Sequence, residues 1–191
     1  MEGRAADSNR IQGLSELISA QSEGRRPPVE QWNPPYCGNI GLAIRGDGTW
    51  HYQNSPIQRD ALVKLFASVL RRDPDGRHYL VTPVEMFDVA VEDAPFLAVE
   101  MQVDGTGREQ KLTFRTNVDD IICCGPDHPI WFVEEPGSGG LKPYIRVRGR
   151  LDALVSRAVY YDLVELAQPS ESDPELLHLW SGGERYSLVS E

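Results

Sequence analysis

Apolar and polar positions alternate most legibly between Gly38 and Leu70. A short strand, a tight turn at Gly46-Asp47-Gly48 and a second strand through Trp50 and Tyr52 lead into a segment of helical spacing. There Ala61, Leu62, Leu65, Phe66, Val69 and Leu70 recur one turn apart, with Arg59, Lys64, Arg71 and Arg72 off the stripe. Ser55-Pro56-Ile57-Gln58 reads as the helix start. The Ser55 hydroxyl accepts from the Gln58 N–H, and Pro56 sits where no N–H is needed. An earlier amphipathic helix is expected over Asn9 to Glu23, from Ile11, Leu14, Leu17 and Ile18, with Ser8 or Asn9 as cap. Gly24 to Pro35 reads as an extended Pro-rich arm over the core, with Trp32 and Tyr36 flanking its second proline pair.

Beyond the central helix the period changes. Asp73-Pro74-Asp75-Gly76 is a turn and His78 to Thr82 a returning strand. Phe87 to Val91, Leu97 to Val103, Leu112 to Thr116, Val118 to Cys124, Pro129 to Glu134 and Tyr144 to Arg148 follow as strands separated by Gly, Pro and Asp turns. Such alternation indicates an antiparallel sheet with one wet face. Arg150 to Ala167 then reads as a helix that Ser156-Arg157 can break, and Leu177 to Val189 as a closing hairpin. Antiparallel strands closed by a C-terminal helix follow the order of pleckstrin-homology-like barrels. Asp60-Ala61-Leu62-Val63 recurs as Asp152-Ala153-Leu154-Val155, which suggests two related units. The expected fold is therefore α+β: two related α/β units, the second an antiparallel sheet or partial barrel capped by a C-terminal helix. The divisions are 1–35 for helix and arm, 36–83 for the first unit and 84–191 for the second.

Size and charge narrow the function. The 191 residues suit one large domain or two small ones, and the net charge of −10 argues against a nucleic-acid polymer or an anionic membrane as partner. No apolar run approaches the roughly 20 residues of a spanning helix, and Glu2, Asp7 and Asn9 interrupt any signal-peptide order, so a cytoplasmic protein is expected. Cys37, Cys123 and Cys124 form neither a disulfide framework nor a zinc signature and read as small buried residues, a redox role for the adjacent pair being the alternative.

No nucleophile elbow, Walker loop or zinc-protease motif is present, so nothing marks an enzyme, and no cofactor or metal is implied. Of the histidines His51, His78, His128 and His178, only His128 lies in a loop suited to a cleft. The leading site candidate is the strand Tyr144-Ile145-Arg146-Val147-Arg148. Tyr144, Arg146 and Arg148 share one face, where two guanidiniums can hold a phosphate and the ring can stack a base. The competing reading is a wet face carrying charge for solubility. Thr82 and Glu85, at the expected junction of the units, and Asn117, after a strand, are further polar candidates. The carboxylates Glu92-Asp93 and Asp119-Asp120 read as turn residues.

Several runs together resemble a bacterial family, domain of unknown function 1285. They are Trp32-Asn33-Pro34-Pro35-Tyr36-Cys37-Gly38, Asp47-Gly48-Thr49-Trp50, Ser55-Pro56-Ile57 and Leu80-Val81-Thr82-Pro83-Val84-Glu85. Val91-Glu92-Asp93-Ala94-Pro95-Phe96, Thr116-Asn117, His128-Pro129 and Pro143-Tyr144-Ile145-Arg146-Val147-Arg148 complete the set. The resemblance runs from about Pro27 to the tail. It implies two related α/β units, the second like a pleckstrin-homology domain, a cleft for a nucleotide-like ligand and a role in signalling, with no activity established. Met86-Phe87-Asp88 stands where the family carries a lysine and a small residue.

The reading that follows is a cytoplasmic module binding a small anionic, nucleotide-like ligand at the interface of its units, in signal transduction. Arg146 and Arg148 take the phosphate, Tyr144 stacks, and Thr82, Glu85, Asn117 and His128 form the polar rim. The alternative is a protein-interaction module without a small ligand, using the Trp32 to Tyr36 arm or a sheet edge. A hydrolase or transferase is disfavoured because no nucleophile–base pair is visible.

Overall fold

A computed structural model describes residues 12–16, 18–19, 26–170 and 173–190. The chain divides into two compact units, residues 1–92 and 93–191. Residues 12–16 and 18–19 are helical with Leu14 and Ile18 buried, as the N-terminal periodicity requires; Ile11, Leu17 and the Ser8 or Asn9 cap lie outside the described residues.

The first unit is a six-stranded sheet. Strands β1 (Tyr36–Ile44), β2 (Trp50–Tyr52) and β3 (Ser55–Pro56) form one antiparallel meander, and helix α1 (Asp60–Ser68) follows. Strands β4 (Leu70–Arg72), β5 (His78–Val81) and β6 (Met86–Val91) form a second meander. The sheet order is β3-β2-β1-β6-β5-β4, so β1 and β6 meet as a parallel pair in the middle. The register of β1 shifts around Gly41, whose φ of 83° and approach to Gln53 suit only glycine. Trp50, Phe66, Leu80 and Phe87, all fully buried, fill the core.

α1 is shorter than the periodicity predicts and starts later. Gln53 and Asn54 take positive φ, turning the chain so that Ser55 and Pro56 pair back onto Tyr52 and His51. Ser55 is thereby committed to a hairpin and caps nothing; the helix opens after Arg59 with no side-chain cap. At the other end Leu70, Arg71 and Arg72 leave the helix for β4, and Arg71 is buried. Its guanidinium donates to both Asp73 carboxylate oxygens (2.6 and 3.1 Å) and to the carbonyls of Val29 (2.9 Å) and Trp32 (2.7 Å), which fastens the Pro-rich arm. β6, assigned to the second unit on sequence grounds, pairs with β5 and β1 and belongs to the first sheet.

The second unit has the same strand order. β7 (Phe96–Asp104), β8 (Lys111–Thr116) and β9 (Ile121–Cys123) form one meander. β10 (Ile130–Glu134), β11 (Leu141–Arg148) and β12 (Leu151–Val155) form the other. The sheet reads β9-β8-β7-β12-β11-β10, with β7 and β12 as the central parallel pair, so it is mixed where pure antiparallel pairing is expected. It is a partial barrel, and helix α2 (Arg157–Leu166) follows its last strand. Strands β13 (Gln168–Pro169), β14 (Leu177–Ser181) and β15 (Glu184–Ser187) make a small third sheet, including the expected C-terminal hairpin.

The expected helix from Arg150 is half strand. Ala153 and Val155 are buried where β12 pairs with β7, and Ser156 starts the helix by accepting from the Val159 N–H. Asp-Ala-Leu-Val is therefore helical at 60–63 and extended at 152–155. The tetrapeptide echo is not a structural repeat, because sheet burial overrides its modest helix propensity. The relation between the units lies in strand order instead.

Candidate functional site

Along β11, Pro143, Ile145 and Val147 are buried, while Lys142, Tyr144, Arg146 and Arg148 share the half-buried opposite face. The alternation places the expected triad together, and each member has a protein partner. Arg146 donates to Asp152 and to the Gly149 carbonyl, and its guanidinium lies 5.6 Å from the Trp131 ring centroid. Arg148 donates to Asp120 and lies over Phe96. Tyr144 stacks on Trp131, centroids 6.0 Å apart, and its hydroxyl donates to Asp93 at 2.6 Å. Burial first, and then the bond to Asp93, push the Tyr144 phenol well above its usual range and keep it a proton donor. Lys142 donates to the other Asp93 oxygen, also at 2.6 Å. Three cations thus face three carboxylates, so a phosphate approaching the arginines must compete with Asp152 and Asp120.

The same strand makes a groove. The Arg146 N–H donates to the Pro129 carbonyl, so the alternation of the ladder turns the Pro143 nitrogen toward β12, where it has no hydrogen to give. Pairing of β11 with β12 extends no further than Tyr144 and Leu154, and beyond it the chain turns into α2. The space left has a cavity volume of about 450 Å³. Leu141, Pro143, Leu154 and Val155 line it with apolar surface, Tyr160 and Tyr161 of α2 contribute rings, and Glu135, Ser138 and Gly140 come from the β10–β11 loop. Arg157 and Lys142 are its cations. Lys142 and Leu154 belong to both the groove and the polar face, so the two are continuous.

The other expected rim residues close local structure. Thr82 Oγ1 donates to the Glu85 carbonyl (3.1 Å) and accepts from the Glu85 N–H (3.0 Å), locking the turn between β5 and β6. Asn117 Oδ1 accepts from the Leu97 N–H at 3.0 Å. His128 Nδ1 donates to the Arg146 carbonyl at 3.0 Å and tethers its loop to β11. Cys124 is buried as expected, whereas Cys37 and Cys123 are exposed. Burial pushes the Cys124 thiol up to about 11.

From sequence Asp93 reads as a turn residue, and Trp131, Lys142, Arg157, Tyr160 and Tyr161 are not singled out as site residues. The signals were Pro143 inside a strand and Ser156-Arg157 breaking a helical pattern. In the first unit a smaller groove of about 340 Å³ is lined by Asn39, Arg77, His78 and Asp88 among others. Asp88 accepts there from Arg77 and Tyr36. Among the described residues, no cluster of His, Cys, Asp and Glu can hold a metal ion, and no helix is long and apolar enough to cross a membrane.

Two six-stranded units of one strand order, with helices beside the sheets and a ring-lined groove in the second, define a two-domain α+β protein. The DUF1285 N-terminal domain, a domain of unknown function, matches residues 27–94, and the C-terminal domain of the DUF1285 proteins of unknown function matches residues 95–188. The chain belongs to the DUF1285 family. A DUF1285 family protein from Silicibacter pomeroyi DSS-3 is 42% identical, with a TM-score of 0.84 over 93% of this chain and 94% of that one. Another, from Shewanella baltica OS155, is 26% identical, with a TM-score of 0.52 over 66% of this chain and 91% of that one. No curated protein matches.

Proposed function

We propose that this protein is a cytoplasmic binding module of signal transduction whose ligand is small, anionic and nucleotide-like. The observation that carries this reading is the groove between β11 and α2. Its volume of about 450 Å³ falls within the roughly 300–1,000 Å³ of small-molecule sites. The Tyr160 and Tyr161 rings suit a base, the cations of Arg157 and Lys142 suit phosphate, and the apolar floor suits a sugar or base edge. In this reading Arg146, Arg148 and Tyr144 form the wall beside the groove, and the arginines touch phosphate only by exchanging their carboxylates for it. His128 holds β11, the strand that carries that wall, and Asn117 holds the β8–β9 turn to β7.

A thermal-shift panel of ATP, GTP, cyclic AMP and cyclic di-GMP tests the reading. At 100 times its dissociation constant a ligand adds about 2.7 kcal/mol, an upward shift of about 5–10 °C for a chain of this size. Arg157→Ala and Tyr160→Ala should abolish or halve that shift while leaving the unliganded melting temperature within about 2 °C. No shift with any member of the panel, or an undiminished shift in both variants, rules the groove out.

A further inference from the structure

We propose that Asp93 and Lys142 form a latch that an anionic ligand must open, so that filling the groove loosens the linker joining the two units. The inference rests on the groove reading above and assigns its regulation.

The latch is built on one carboxylate with both oxygens used. Lys142 Nζ donates to Oδ2 of Asp93 and the Tyr144 hydroxyl to Oδ1, each at 2.6 Å. Asp93 is the first residue of the second unit, and only Ala94 and Pro95 separate it from β7. Immediately before it, Glu92 is tied into the first unit. Its N–H donates to the Ile44 carbonyl at 3.0 Å, and its carboxylate accepts from Arg45 at 2.6 Å and from the Gly46 N–H at 2.8 Å. The linker is thus pinned on both sides, on the second by the lysine that lines the groove.

That shared lysine couples the two places. An ammonium has three donors but one charge, and here the charge is already matched by Asp93. A phosphate seated beside Lys142 meets the Asp93 carboxylate as a like charge on the same ammonium. Binding and latch closure therefore oppose each other, and by linkage the ligand weakens the Asp93–Lys142 contact by the factor by which that contact weakens the ligand. Tyr144 does not follow Lys142, because its ring is held by the Trp131 stack; Asp93 then keeps one partner of two.

Calorimetric titration of the four nucleotides named above, with amide exchange at Glu92 to Phe96, tests the latch in the full chain. Asp93→Asn keeps an acceptor for Tyr144 and removes the competing charge, so nucleotide binding should tighten about tenfold. Lys142→Gln should weaken it. Nucleotide should speed exchange of the linker amides in the wild type, and in Asp93→Asn that exchange should be fast without ligand. Equal affinities for wild type and Asp93→Asn, or linker exchange unmoved by a nucleotide that binds, overturn the latch and leave the groove reading standing. Absence of binding in both proteins overturns both.

Discussion

The two units share a strand order and use it differently. Each joins two three-stranded meanders through a central parallel pair, β1 with β6 and β7 with β12. In the first unit α1 lies between the meanders, after β3; in the second α2 follows the last strand of the six-stranded sheet. Polar groups follow suit. The first unit spends its buried guanidinium, Arg71, on clamping its own arm. The second ends in a strand whose partner carries Pro143, so α2 departs and leaves a groove. One scaffold thus carries two different grooves, about 340 Å³ beside Arg77 and Asp88 in the first unit and about 450 Å³ beside α2 in the second, and the helix after the last strand gives the second its ring-lined wall. This illustrates why function is argued from a site and not from a fold.

Helix removal should break the comparison most visibly. Phe66 of α1 and Leu163 of α2 are both fully buried. Phe66→Ala should cost about 3–5 kcal/mol and Leu163→Ala about 2–5 kcal/mol by urea denaturation. Only the second should also abolish nucleotide binding, since only α2 walls the groove. Next comes Arg71→Ala, which strands the half-buried Asp73 and two arm carbonyls. A loss of about 2–4 kcal/mol is expected, with earlier tryptic cleavage around Arg26 than in the wild type.

The smallest effect is on pH dependence, and it belongs to the first unit. Burial first, and then the charge of Arg72, lower the pKa of His78 from 6.5 to about 4, and its Nε2 finds no hydrogen-bond partner among the described residues. Between pH 6.5 and 4 the unfolded chain therefore takes up a proton that the folded His78 refuses, and stability falls as pH drops through that window. Allowing for solvent screening of a partly exposed ring, His78→Gln should remove about 1–2 kcal/mol of that acid-side loss. Denaturation of both proteins at pH 7 and pH 4.5 measures it; parallel losses would place the proton uptake elsewhere.

Most strands were readable as local patterns. Period-2 alternation located β6, β7, β8, β10 and β11, and Gly, Pro and Asp turns separated them. It also put Tyr144, Arg146 and Arg148 on one face. Misreadings came where a local signal met a distant partner or a second local signal. Asp152 to Val155 have helical spacing, yet β7 lies beside them and makes them a strand; Ser55 has capping chemistry, yet the neighbouring turn at Gln53 and Asn54 pairs it with Tyr52, a competing local signal.

What the sequence determines by itself is therefore periodicity: where the chain turns, and which side chains share a face along a regular strand. Those follow from steric preferences spanning a few residues. Tertiary structure alone decides whose charge answers whose. Asp93 reads as a turn residue, yet it meets Lys142 and Tyr144 from 49 and 51 positions away. Ion pairs depend on distance in space, and two residues that far apart in the chain acquire a distance only when the sheet between them has closed.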